Sequence, residues 1–119
     1  MPTRGPLARS VENLVNRVLT RPAARSPDDL RRAVFDYVAA LTRSTPLPSP
    51  LPPEVEPYIR KVALNAYKVL DRDVDAVRAA GHSVDDVFEM TVAAAVSAGV
   101  TRMEIALAAL EEVRDAPAA

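Results

Sequence analysis

Residues 58–110 read YIRKVALNAYKVLDRDVDAVRAAGHSVDDVFEMTVAAAVSAGVTRMEIALAAL, and this stretch decides the fold class. Ile59, Val62, Ala63, Ala66 and Leu70 recur at helical spacing, and so do Val74 and Val77. Turn chemistry divides the stretch. Ala80-Gly81 is a helix end, with Gly supplying a left-handed residue, and Ser83-Val84-Asp85-Asp86 is a capping-box-like start. From Met90 to Val100 eleven residues pass without a charge. A helix apolar on all sides is expected to be buried on all sides, and its Ala and Gly residues let neighbouring backbones approach closely. It is where helices are expected to pack across subunits. Thr101-Arg102-Met103-Glu104 reads as a further capping box, so a last helix is expected to run to about Val113. Before this, Glu54 to about Leu70 is expected to form one helix with Pro57 in its first turn, and Asp71 or Asp73 to open the next.

Working outward, residues 1–9 read as unstructured, and Ser10 as the N-cap of a helix carrying Val11, Leu14, Val15, Val18 and Leu19 on one face. Ser26-Pro27-Asp28-Asp29 starts a second helix to about Leu41, with Leu30, Ala33, Val34, Tyr37, Val38 and Leu41 on its stripe. Phe35 falls off that stripe and is expected to touch another element. Residues 44–53, STPLPSPLPP, hold five prolines in ten positions, which forbids a helix and favours extended polyproline II. This segment reads as a stiff linker between an N-terminal basic helical pair (1–43) and the main body (54–115), within one structural domain overall; a docking ligand for a proline-reading module is the other reading. The DAPAA tail is expected to fray. The expected fold is all-α, a compact domain of five to six helices.

Composition narrows the function. The 119 residues are 49% hydrophobic and only 4% aromatic, so the core is built from Ala, Val and Leu. There is no Cys, which removes disulfides, thiolate metal sites and thiol redox chemistry. The start, MPTRGPLARS, has no apolar core of a secretory signal, and no apolar run approaches the roughly 20 residues of a membrane span. A cytoplasmic protein with no membrane partner is the expectation. Residues 1–43 carry eight Arg against four acids, whereas 44–119 carry seven bases against twelve acids. The basic arm is expected to dock on the acidic body, its own or a neighbour's, or to recruit a protein partner. Its charges are dispersed and lack aromatic partners, so nucleic acid is not expected.

Few residues carry candidate chemistry. Glu89, at the head of the uncharged helix, is the best candidate for a polar group in a pocket; its alternative is a salt bridge to Arg72, Arg78 or Arg102. Tyr67 and Lys68 could line a small-molecule cavity. His82, the only His, would need Asp85 or Asp86 as a partner to act as a base. Glu54 and Glu56 could form a carboxylate pair, although at a helix start they more simply favour the dipole. The scattered acids and single His give no metal-ligand spacing, and Gly5, Gly81 and Gly99 form no phosphate loop. Neither metal nor cofactor is expected.

The helix ending Ala79-Ala80-Gly81, the Ser-Asp-Asp cap, the Val87-Phe88-Glu89 opening and the AAAVSAG run resemble the carboxymuconolactone decarboxylase family, particularly its alkyl hydroperoxide reductase D (AhpD) branch. The resemblance covers nearly half of the chain. It implies an all-helical subunit assembled into trimers or hexamers. Redox-active members carry a CxxC pair, a His four residues after it, and an upstream Glu that relays protons. Counting back from Gly81, the Cys positions fall on Ala66 and Val69, the His position on Asp73 and the Glu position near Glu54. Ala and Val form no disulfide, and Asp73 caps a helix but does not replace an imidazole. The resemblance therefore implies a redox-inactive structural or interaction protein. The alternative is a cofactor-free enzyme acting on a small organic acid or lactone, with Glu89, Tyr67, Lys68 and Asp73 as its candidate residues.

Overall fold

The computed structural model describes residues 5–19, 28–45 and 48–117. They form five α-helices and no strand: α1 Gly5–Leu19, α2 Asp28–Thr42, α3 Glu56–Asn65, α4 Asp71–Ala79 and α5 Val84–Asp115, with a 3-10 turn, Ala66–Lys68, between α3 and α4. The Ser26 cap, Pro27, Pro46 and Leu47 lie outside the described residues.

Three expected boundaries are corrected. α1 begins at Gly5, so residues 5–9 are helical and Ser10 lies inside the helix. Pro6 sits in its first turn, where a missing N–H costs nothing. α3 ends at Asn65 rather than Leu70. The chain then tightens through the 3-10 turn, goes extended at Val69 and Leu70, and re-enters a helix at Asp71. Finally, α5 runs unbroken for 32 residues through Thr101, about 48 Å at helical rise. The Thr101–Glu104 pattern is no helix start, because Thr101 is buried within a continuing helix.

Other signals work as read. Ser83 Oγ accepts from Asp86 N at 3.1 Å, and Asp86 Oδ2 accepts from Ser83 N at 3.2 Å, closing the capping box of α5. Gly81 takes φ +111° after α4. A C-cap that the sequence reading did not name closes α2 in a Schellman arrangement: Thr45 N donates to Ala40 O at 2.9 Å and Ser44 N to Leu41 O at 3.1 Å, with Ser44 at φ +58°.

One core joins all the segments after α1. Val34, Tyr37 and Val38 of α2 meet Leu51, Val55, Tyr58 and Ile59, Val77 of α4, and Val87, Met90, Ala93 and Ala94 of α5. Leu51 is buried, so the proline-rich segment is pinned to the body where it leads into α3. Phe35 contacts other elements as expected: its carbonyl accepts from the buried Ser97 Oγ at 2.6 Å, and its side chain lines a depression with Val11, Val15 and Val100. By length and composition α5 could also cross a membrane, with an 18-residue window of mean hydropathy 1.4. This corrects the expectation that no segment is long and apolar enough.

Ser44 holds a left-handed residue where a side chain is strained. Ser44→Gly is expected to stabilise the fold by about 1 kcal/mol in urea denaturation; an unchanged midpoint would show that Ser44 is not strained.

Candidate functional site

The residues with chemistry fall in two places, the head of α5 and the turn before α4. At the first, Arg31 Nη1 lies 3.3 Å from Glu89 Oε2, with both side chains buried. Arg31 Nη2 donates to Leu19 O, in the last turn of α1, at 3.1 Å. One guanidinium thus satisfies a helix-end carbonyl and a buried carboxylate, and ties α1, α2 and α5 together. Neither anticipated reading of Glu89 names this partner, since Arg72, Arg78 and Arg102 were the expected cations. Sequence reasoning missed Arg31 altogether. It occupies the stripe of α2 three and seven residues before Val34 and Val38, both fully buried, and a charge in such a register is the signal that could have found it.

A hollow of about 230 Å³ opens beside this pair, lined by Arg17, Val18, Arg31, Phe88, Glu89 and Val92. Its walls are almost wholly apolar, although Arg17, Arg31 and Glu89 are among the residues that form them. Tyr67 and Lys68 are not part of it. Tyr67 is 81% exposed on the 3-10 turn, with Lys68 Nζ 5.7 Å from its ring centroid. Glu89 is among the residues lining this hollow, and Tyr67 and Lys68 stand apart from it on the 3-10 turn.

The second place is Asp73. Its Oδ2 accepts from Leu70 N at 2.8 Å and from Lys61 Nζ at 3.0 Å. The Leu70 amide first, then the Lys61 ammonium, favour the ionised carboxylate and hold its pKa below the usual 3.8. Asp73 therefore caps α4 and clamps it to α3. Ala66 opens the 3-10 turn and Val69 is the extended residue after it, so both positions the resemblance gives to sulfur precede α4 and carry inert side chains.

His82 Nε2 lies 3.5 Å from Glu54 Oε1, so its carboxylate partner is Glu54 and not Asp85 or Asp86. Glu56 does not pair with Glu54; it accepts from the Tyr37 hydroxyl at 2.5 Å and lies 3.8 Å from Arg60. Burial, then the bond to Glu56, raises the Tyr37 pKa above its usual 10.0. That contribution to stability is present below the ordinary tyrosine range and lost as alkaline pH rises through the folded value. Among the described residues no group of three or more His, Asp or Glu is placed to hold a metal ion.

Among the described residues, two arginines of the basic arm pair with acids of the body. Beyond Arg31–Glu89, Arg43 Nη2 reaches Glu104 Oε2 at 2.9 Å.

Two outcomes test these assignments. Arg31→Met should cost about 3–5 kcal/mol by stranding a buried carboxylate, and adding Glu89→Leu should recover much of the loss, measured by urea denaturation; a double variant no better than the single one would contradict the pairing. Asp73→Asn should lower the melting temperature at neutral pH. The gap to the parent chain should close as acid drops through the lowered folded pKa, since the ionised form is the one stabilised; a gap constant into acid would contradict it.

Compared with family models, with curated proteins and with solved structures, the chain gives no match.

Proposed function

We propose that the protein is a redox-inactive, carboxymuconolactone decarboxylase-like subunit that works in the cytoplasm as an oligomeric structural or interaction protein. The observation that carries this reading is the state of α5. Its uncharged stretch is expected from the sequence to be buried on every side, but the described residues cover only one side. Ala93, Ala94, Ser97 and Ala98 are buried, whereas Ala95 and Gly99 are exposed, and Phe88, Leu110 and Val113 beyond them are 59%, 64% and 76% exposed. An apolar face of this length on a small subunit calls for a protein neighbour. The turn before α4 supports the same reading. Asp73 is engaged by an amide and an ammonium, and the chain has no cysteine.

A second reading rests on the hollow beside Glu89. A cofactor-free enzyme for a small organic acid or lactone would use Arg17 to hold the carboxylate and Val18, Phe88 and Val92 to seat the apolar part. Glu89 would then be its acid–base group, without Tyr67 or Lys68.

Sedimentation equilibrium at micromolar concentration is expected to give a multiple of the 12.8 kDa chain mass; a monomer would contradict the first reading. Peroxide consumption with a dithiol reductant should not exceed that of denatured protein, and turnover above it would contradict the redox-inactive assignment.

A further inference from the structure

We infer that the outer face of α5 pairs with the same face of a second copy, antiparallel, across a two-fold axis at Gly99. This rests on the assembly reading above and gives it a surface and a register.

The face is a seam. Starting at Phe88 and ending at Val113, the apolar residues Phe88, Val92, Ala95, Gly99, Met103, Ala106, Leu110 and Val113 follow one another at steps of three or four, the spacing by which helices interlock side chains. None of them is buried in the subunit; Val92 and Met103 are half-buried and the other six are exposed. The one charge beside the middle of the seam, Arg102, is turned to α3, where its Nη2 donates to Ala63 O at 2.6 Å.

From Phe88 to Leu110 the seam is also symmetric about its glycine; Val113 lies beyond that span, level with Asp85 of the second copy. Ala95 and Met103 lie four residues either side of Gly99, Val92 and Ala106 seven, Phe88 and Leu110 eleven. An antiparallel copy centred there sets Ala95 against Met103 of the second copy and Val92 against its Ala106, large against small. Phe88 meets Leu110 of the second copy at both ends. The charges agree with this register. Asp85 and Arg114 lie on one edge of the seam, fourteen and fifteen residues from Gly99, so each Asp85 falls beside Arg114 of the second copy. Glu111, Glu112 and Asp115 fall on the other sides of the helix at 3.6 residues per turn.

Gly99 itself needs the second copy. Glycine inside a helix costs about 1 kcal/mol relative to alanine, and a Cβ at this position would meet nothing within 4 Å in the subunit. The chain's own packing gives no reason for glycine there, whereas a second backbone crossing at the axis does. A lipid surface would accept the same apolar residues but would explain neither the symmetry nor the Asp85–Arg114 pairing.

The absence of cysteine makes the register directly testable. Gly99→Cys introduces a single thiol at the axis. Under mild oxidation it should form a covalent dimer on the order of a hundredfold faster than Glu112→Cys, which faces away from the seam, because pairing raises the effective thiol concentration. A chain carrying both Ala95→Cys and Met103→Cys should cross-link as fast, even where a side chain at 99 spreads the helices. If neither cross-links faster than Glu112→Cys while sedimentation gives an oligomer, the register is wrong and assembly uses another face. A monomer by sedimentation overturns both readings. Flotation with phospholipid vesicles, without cross-linking, overturns the proposal and assigns the face to lipid.

Discussion

The buried contact between Arg31 and Glu89 fixes the arrangement on which the rest of the structure depends. Two charges withdrawn from water cost several kcal/mol each unless they meet at close range with further hydrogen bonds. Here they lie 3.3 Å apart, and the same guanidinium reaches the last carbonyl of α1. An apolar contact could slide by a turn at modest cost, but this one cannot, so α2 has one register on α5. Three more contacts repeat the device along the same helix: Ser97 to the Phe35 carbonyl, Arg102 to the Ala63 carbonyl, and Arg43 to Glu104. Tyr58 adds a fourth. Its hydroxyl lies 2.7 Å from Thr91 Oγ1, whose own proton goes to Val87 O, so Tyr58 is the donor.

These anchors give α5 two unlike sides. The inner side carries Glu89, Thr91 and Ser97, each bonded to another helix, among small residues that admit close packing. The outer side has almost no polar group between Asp85 and Arg114 except Arg102, which leans away. A helix in a lone subunit ordinarily places its charges outward and its apolar residues inward. α5 follows that rule on its inner side, where Val87, Met90, Ala93, Ala94 and Ala98 are buried, but its outer side stays apolar from Phe88 to Val113, which makes it the candidate assembly element. A two-fold contact of this kind makes dimers alone and, combined with a three-fold contact, hexamers.

Legibility in the sequence followed the range of the interaction. Gly81, the Ser83–Asp86 box and Asp73 at the head of α4 act within four residues, and all were readable. The end of α3 was not, because Leu64-Asn65-Ala66-Tyr67-Lys68 contains no breaker and suits a helix. The turn there lets α4 fold back until Asp73 meets Lys61, a contact between separate helices. Thr101 misled for the opposite reason. Its box pattern is sound locally, but a cap forms only where the preceding backbone leaves the helix, and packing of α5 on the bundle keeps it helical. The burial of Glu89 was readable from its uncharged surroundings. Its partner was not, since Arg31 lies 58 residues away and looks like part of a basic arm until its register with Val34 and Val38 is noticed.

α5 is held on one side by its own chain and, in the proposed assembly, on the other by a second copy. Residue-resolved amide hydrogen exchange over a dilution series measures this most directly. Protection between Met103 and Val113, where the helix has few inner contacts, should fall on dilution, while protection between Val87 and Ala98 persists. Protection in both segments that is independent of concentration, down to a demonstrated monomer, would contradict it.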